Sequence, residues 1–330
     1  MSLQFLNNFR GIAILMVILA HAISSVPVEN SFVVKILDFH LDNCTVLFIA
    51  IAGYFFSVLS GGYCYSSFLN NKFKAVIIPY IVISVPAILL YLLKIKTYHY
   101  WIDMDWFYSG LGPVGQYAYL MITGAHLGPL WFVPMIILFY VLSPLFIHIQ
   151  NNGWLSVVFF LSLCSAIYFG RPQYNDNVLQ SFTFFLPAYV FGMLLAKKTW
   201  LYESITRYSG WLLGGYVAVV SLLYATIDIS SSVDLVVKLL LAVLLLAFCK
   251  QTISHKVVWL DLCARLSFFL FFIHGYFTGF SRVFMKYYDI QAHESLAVTV
   301  IFIFTVVMSL LSYIVAKLIL KDKTRMLLGA

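Results

Sequence analysis

Two residues in the first apolar run carry side chains able to do chemistry in surroundings where most side chains are inert. Arg10 and His21 are eleven residues apart. At about 100° and 1.5 Å per residue, eleven helical steps come to about 1100°, within about 20° of three full turns, over about 16 Å. A helix through this run therefore presents both side chains on one face. An imidazole beyond Ile12-Ala13-Ile14-Leu15-Met16-Val17-Ile18-Leu19-Ala20 can serve as a general base or accept a group itself. A guanidinium at the start of the same helix can grip phosphate oxygens in pairs. Each residue also has a plainer role, Arg10 as a basic anchor at a membrane surface and His21 as a polar contact between helices. Their shared face favours a joint role.

Other polar groups fall in or beside apolar runs. His274 ends Ser267-Phe268-Phe269-Leu270-Phe271-Phe272-Ile273-His274, and His126 precedes Leu127-Gly128-Pro129-Leu130-Trp131-Phe132. His274 could equally be an interhelical hydrogen-bonding residue. His126 stands at the mouth of an apolar run, where a histidine costs little. Lys72 and Lys74 lead into another run, either as basic flanks or as phosphate contacts. His40, His99, His148, His255 and His293 fall in loops or at run ends, and most of them are expected to be solvated. No histidine pair has metal-ligand spacing, and neither a phosphate-binding Gly-rich loop nor a nucleophile elbow is present.

The elements that must position these groups follow from composition. Of 330 residues, 62% are hydrophobic and 10% charged, and mean hydropathy is +0.95. A soluble domain has about 25% charged residues, so a water-soluble enzyme, a disordered tail and a nucleic-acid-binding domain are excluded. The net charge of +7 reads as a topology signal. The five cysteines lack CxxC spacing and read as small core residues. Ten runs are long enough to cross a bilayer: 10–27, 44–60, 75–93, 131–149, 153–170, 180–196, 210–227, 233–249, 265–285 and 295–317. With the N-terminus inside, thirteen Lys and Arg fall at cytoplasmic ends and six outside, with Lys238 inside a run, so both termini are expected in the cytoplasm.

The expected fold is thus all-α, one membrane bundle over residues 1–330 with no second domain. Segment 94–130 is the longest stretch between runs. It is expected to fold back over the outer face with a short interfacial helix, since Tyr98, Tyr100, Trp101 and Trp106 suit the headgroup layer. No internal repeat is evident, and no Asp or Glu sits mid-run. Both points weigh against the alternative of a transporter or flippase for a lipid-linked sugar or small molecule.

Five pieces in order resemble the acyltransferase-3 family of integral membrane O-acyltransferases. Phe9-Arg10-Gly11-Ile12-Ala13 followed by His21 is similar to its opening Arg-x10-His helix. Leu47 through Phe55 resembles its second-helix run, with Ala52 where serine is usual. Phe68 through Pro79-Tyr80 resembles its basic segment, with Lys72 and Ala75 in place of two arginines and Lys74 beside the latter. Leu130-Trp131-Phe132-Val133 resembles its Leu-Trp-Phe motif, with His126 further upstream than in many members. Ser267 through His274 resembles its late motif ending in histidine. The resemblance implies a ten-helix domain in a bacterial cytoplasmic membrane. It implies transfer of an acyl group, most often acetyl from acetyl-CoA, to a sugar hydroxyl of a surface polysaccharide or lipid-linked glycan. No cofactor would be bound permanently, and no extracytoplasmic hydrolase-like domain is expected. Arg10, Lys72 and Lys74 would contact acyl-CoA, and Arg10 and His21 would be catalytic. Trp131, His126 and His274 would serve the acceptor side.

Overall fold

A computed structural model describes residues 4–27, 31–226, 229–290 and 293–329. It is helical, with no strand among the described residues. In chain order the helices are α1 (Gln4–Ile23), α2 (Phe32–Leu41), α3 (Thr45–Val58), α4 (Tyr65–Lys72), α5 (Ile78–Leu92), α6 (Met104–Gly110), α7 (Pro113–Thr123), α8 (Phe132–Val141), α9 (Ser143–Asn151) and α10 (Leu155–Phe169). The second half holds α11 (Val178–Lys197), α12 (Trp200–Glu203), α13 (Ser209–Thr226), α14 (Ser231–Thr252), α15 (Val258–Arg265), α16 (Ser267–Tyr287), α17 (Glu294–Leu320) and α18 (Thr324–Leu328). Among the described residues, eight helical stretches are long and apolar enough to span a membrane, or nine if the pair Pro113–Thr123 and Gly128–Val141, bent by 76°, is one broken span. The protein is a multi-pass membrane protein. α10 has 15 residues, about 22 Å of helix against a hydrocarbon core of about 30 Å.

Prolines reshape two of the expected runs, dividing one and placing a π segment at the start of the other. The run 131–149 is a 3-10 turn at Gly128–Trp131, then α8, then α9. Pro144 cannot donate to the Tyr140 carbonyl four residues back, and the Ser143 hydroxyl takes that carbonyl instead at 2.6 Å. The run 75–93 begins with a π-helical segment, Phe73–Ile77. Pro79 has no N–H for the Ala75 carbonyl, and Ile78 N–H reaches back five residues to Phe73. Such π segments recur at functional sites.

Helix α1 is central, packed against α3, α14, α15, α16 and α17. Asn8, fully buried, donates from Nδ2 to the carbonyls of Ile253 and His255, the latter at 2.8 Å. Gly11 lets the backbone of α15 at Leu260 press against α1. The tightest helix pair is α3 with α11. Gly53 meets the Tyr189 carbonyl and Gly192 meets the Ala50 carbonyl, where any Cβ would collide. Lipid gives helices no hydrophobic reason to associate, so small residues that allow backbone contact do this work.

Segment 94–130 carries two helices, α6 and α7, where one short helix was expected. His99, among the histidines of which most were expected to be solvated, is buried at 7% exposure. Its Nε2 donates to the Ala125 carbonyl at 3.1 Å, and its Nδ1 accepts from Ile102 N–H at 3.2 Å. Its ring stacks on Tyr100, with centroids 4.6 Å apart. The loop closes around the imidazole, and a solvated position would leave those backbone groups unpaired.

Two outcomes follow. Gly192→Leu or Gly53→Leu should lower the thermal unfolding midpoint of purified protein markedly, since overpacking costs about 1–3 kcal/mol or more. Gly214→Leu, where an added Cβ meets nothing within 4 Å, should leave that midpoint near wild type. Burial pushes the His99 imidazole down to about 4 from its ordinary 6.5. The unfolded chain therefore takes up the proton first as pH falls, and the His99 contribution to stability, complete above about 6.5, is lost towards pH 4. The midpoint should drop more steeply over that window in wild type than in His99→Gln.

Candidate functional site

One stripe of α1 runs through Asn7, Arg10, Ile14, Val17, His21 and Ser24, at steps of three, four, three, four and three residues, the spacing of a single helical face. Its two ends open into different cavities. Asn7 and Arg10 line one of about 480 Å³. Val17, His21 and Ser24 line the other, of about 460 Å³. The two share no lining residue. Between them Ile14 is fully buried. On α3, Thr45 lines the second cavity and Phe48 the first, so the partition there is about one helical turn thick.

The Arg10 cavity is basic. Lys72 enters from the last turn of α4, and the walls come from Ala52, Phe55, Tyr63, Tyr140, Tyr189 and Phe268 among others. No Asp or Glu lines it. The Arg10 guanidinium lies 5.4 Å from the Phe268 ring centroid. The Lys72 ammonium lies 5.1 Å from the Tyr140 ring and 5.4 Å from the Phe68 ring. Neither cation has a carboxylate partner among the described residues. Cation–π contacts of about 0.5–2 kcal/mol hold them in place without neutralising them, which leaves their charge for an anion. Lys74, in the π segment, is exposed and lines neither cavity. Ala52, at the position where serine was the expected residue, is part of the wall.

At the other end, the His21 and His274 rings lie side by side, centroids 5.0 Å apart and planes tilted by 50°. His274 is fully buried. Its Nδ1 lies 2.9 Å from the Leu270 carbonyl. A carbonyl can only accept, so Nδ1 carries the proton and Nε2 a lone pair. That Nε2 has no partner among the described residues. The ring beside His21 thus carries an acceptor nitrogen with no partner among the described residues. Ser25 Oγ donates to the His21 carbonyl at 2.7 Å and Ser24 Oγ at 3.2 Å, which ties off the end of α1 just past the histidine.

Trp131 lines the His21 cavity. It stacks on Phe185 at 5.6 Å between centroids, held there by the 3-10 turn that starts α8. His126 lines neither cavity. It is buried, with Nδ1 donating to the Leu120 carbonyl at 3.0 Å and Nε2 accepting from Ser84 Oγ at 2.7 Å. Both ring nitrogens are used in joining α7 to α5 across the bend.

The structure adds residues that pattern reading passed over. Arg171, Tyr174, Asn175, Tyr100 and Arg282 all line the His21 cavity. They come from loops and from the far end of α16, where charge and aromatic content look like ordinary headgroup-layer residues. Tyr174 and Asn175 both have left-handed backbones, φ 63° and 56°. Consecutive non-glycine residues in that region are strained by about 1–3 kcal/mol each, a cost that clusters at functional sites. Behind the cavity, Lys238 is fully buried on an ion pair with Asp234 at 2.6 Å, and Asn43 Nδ2 donates to the same carboxylate at 3.0 Å. The Asp234-x3-Lys238 spacing on one apolar helix was a legible signal for that pair.

Among the described residues no cluster of His, Cys, Asp and Glu could hold a metal ion. Comparison with curated proteins and with solved structures gave no match. A family model described as an acyltransferase domain matches residues 3–317. With that match spanning nearly the whole chain, around a helix that joins a basic cavity to a histidine cavity, the protein belongs to the acyltransferase-3 family of membrane acyltransferases.

Proposed function

We propose that the protein transfers an acyl group, in the first instance acetyl, from acyl-CoA to a sugar hydroxyl of a surface polysaccharide or lipid-linked glycan. The observation that carries this reading is the α1 stripe, with two unneutralised cations at one end, paired imidazoles at the other and a separate cavity at each. In this reading the Arg10 end faces the cytoplasm of a bacterial cell, where acyl-CoA is made, in keeping with the excess of Lys and Arg on that side. Arg10 and Lys72 hold phosphates of the CoA head. The pantetheine arm follows the α1 stripe past Ile14 and Phe48 towards His21. Membership of an acyltransferase family argues against the transporter alternative.

A sugar hydroxyl is a poor nucleophile at neutral pH, and His21 removes its proton as it attacks the thioester carbonyl. The C–S bond breaks, the new C–O bond forms, and the proton held by His21 can pass to the departing CoA thiolate. In the other order, His21 attacks first and expels CoA thiolate; the sugar oxygen then displaces the imidazole from the acyl carbon, and the hydroxyl proton goes to the released imidazole. Both need an imidazole nitrogen free to face the substrate. His274 is a positioning residue here, its bare Nε2 suited to accept the His21 N–H and leave the opposite nitrogen basic. Trp131 provides a flat apolar face for the acceptor.

The test is a purified-protein assay with radiolabelled acetyl-CoA and glycan or glycolipid acceptors. His21→Ala should lower transfer about 10²–10⁴-fold with CoA affinity kept. Arg10→Ala and Lys72→Ala should each weaken CoA binding about tenfold or more, the loss expected for a charged hydrogen bond of about 1.5–3 kcal/mol. Near wild-type transfer by well-folded His21→Ala would overturn the assignment.

A further inference from the structure

The His21 cavity is where the acceptor would bind, and two of its lining residues are arginines that keep most of their N–H donors unspent. Arg282 comes from α16, two turns beyond His274. Its guanidinium makes two long contacts, from Nη2 to the Ser24 carbonyl at 3.3 Å and to Ser25 Oγ at 3.4 Å. It has no carboxylate partner among the described residues. Ser24 and Ser25 are the residues bonded to the His21 carbonyl, so this cation is anchored about one helical turn past His21 along the chain, and Arg282 and His21 line the same cavity.

Arg171 comes from the loop before α11. Its guanidinium lies 5.8 Å from the Trp131 ring and 5.9 Å from the Phe185 ring. Nε donates to Asn175 Oδ1 at 2.9 Å, and Nη1 is 3.7 Å from Asp42. Asp42 is itself mostly exposed, at 66%, so this pair is long and open to water. Each guanidinium has five N–H donors, most of them unspent. The strained turn at Tyr174 and Asn175 holds the Arg171 side chain through Asn175 and places the Tyr174 ring at 5.1 Å from Tyr100. Both tyrosines line the same space. Asp38 and Asp42 line it too, from α2 and its C-terminal end, and are suited to accept from sugar hydroxyls.

We infer that Arg171 and Arg282 form an oxyanion subsite, so that the acceptor is a negatively charged glycan, bearing a carboxylate or a phosphate close to the hydroxyl that reacts. Guanidinium groups match both anions in paired hydrogen bonds. The aromatic faces of Trp131, Tyr100 and Tyr174 cover the apolar side of a sugar ring. With Arg282 anchored about one turn past His21 along the chain and lining the same cavity, the charge sits on the reacting sugar or on its neighbour. This inference rests on the acceptor reading of the His21 cavity, but its test does not need turnover.

The experiment is equilibrium binding to the purified full chain of three alkyl glycosides of one chain length: a neutral glucoside, a glucuronide and a glucose phosphate diester. Binding of the glucuronide, the phosphate or both at least tenfold tighter than the neutral compound is the expected result, and which anion wins identifies the source of the charge. The preference should fall to less than threefold in Arg171→Gln/Arg282→Gln and be largely restored by Lys at the same positions. Helical circular dichroism and a monodisperse elution profile check folding without reference to CoA. Equal binding of all three compounds to wild type, or a preference that survives the double substitution, overturns the subsite. If the anion preference holds while acetyl-CoA neither binds nor donates, the transfer reading fails and the subsite stands.

Discussion

A charge or an imidazole removed from bulk water is tolerated in a membrane protein only where something compensates it, and the arrangement around α1 follows from that constraint. Where the compensation is internal, the structure supplies it completely. Lys238 is held by Asp234 and by the Phe39 carbonyl. His126 uses both nitrogens, and Asn8 closes the loop at Ile253–His255. Among the ionisable groups, it is incomplete for the cations of the Arg10 cavity and for the histidine pair with Arg282 at the other end.

The scaffold's task is to keep α1 straight and fixed while both its ends stay open. Backbone contact at Gly53 and Gly192 locks α3 to α11, and these helices form much of the wall behind Arg10. Gly11 and Asn8 seat α1 on α15 and the preceding loop. Around His274, the Tyr276 hydroxyl donates to the Ile83 carbonyl and accepts from Ala87 N–H. That intrudes on the hydrogen-bond ladder of α5 near Pro86 and ties it to α16. The partition between the cavities is thin: on α3 the linings change over between Thr45 and Phe48, and on α1 between Arg10 and Val17, with Ile14 buried between them. A long narrow donor, with its charge at one end and its reactive bond at the other, suits that shape.

Much of this was legible in the residue order. Eleven-residue spacing alone put Arg10 and His21 on one face, and the apolar runs announced a helical membrane bundle. Trp131 and His274 stood out as polar or amphipathic groups in apolar surroundings, and each lies at the His21 end of the bundle. The limits are equally physical. Lys72 and Lys74 are two residues apart and were indistinguishable by composition. Lys72 ends α4 and lines the cavity, whereas Lys74 lies in the π segment that follows and is exposed. His126 looked like a site residue until a serine on α5 came within hydrogen-bond reach, a contact between residues 42 apart in sequence. His99 had no apolar run around it to suggest burial, because the loop that encloses it is polar and aromatic.

Periodicity is a property of one helix at a time, so the chain order by itself determined which faces are apolar, where prolines break the runs and which groups share a stripe. Arg171, Tyr174, Asn175 and Arg282 belong to separate elements, and no local pattern links them to one another or to His21. Only the packing of α16 and the loop before α11 against the end of α1 assembled them, because a cavity's lining depends on which helices meet and not on the order in which they are written.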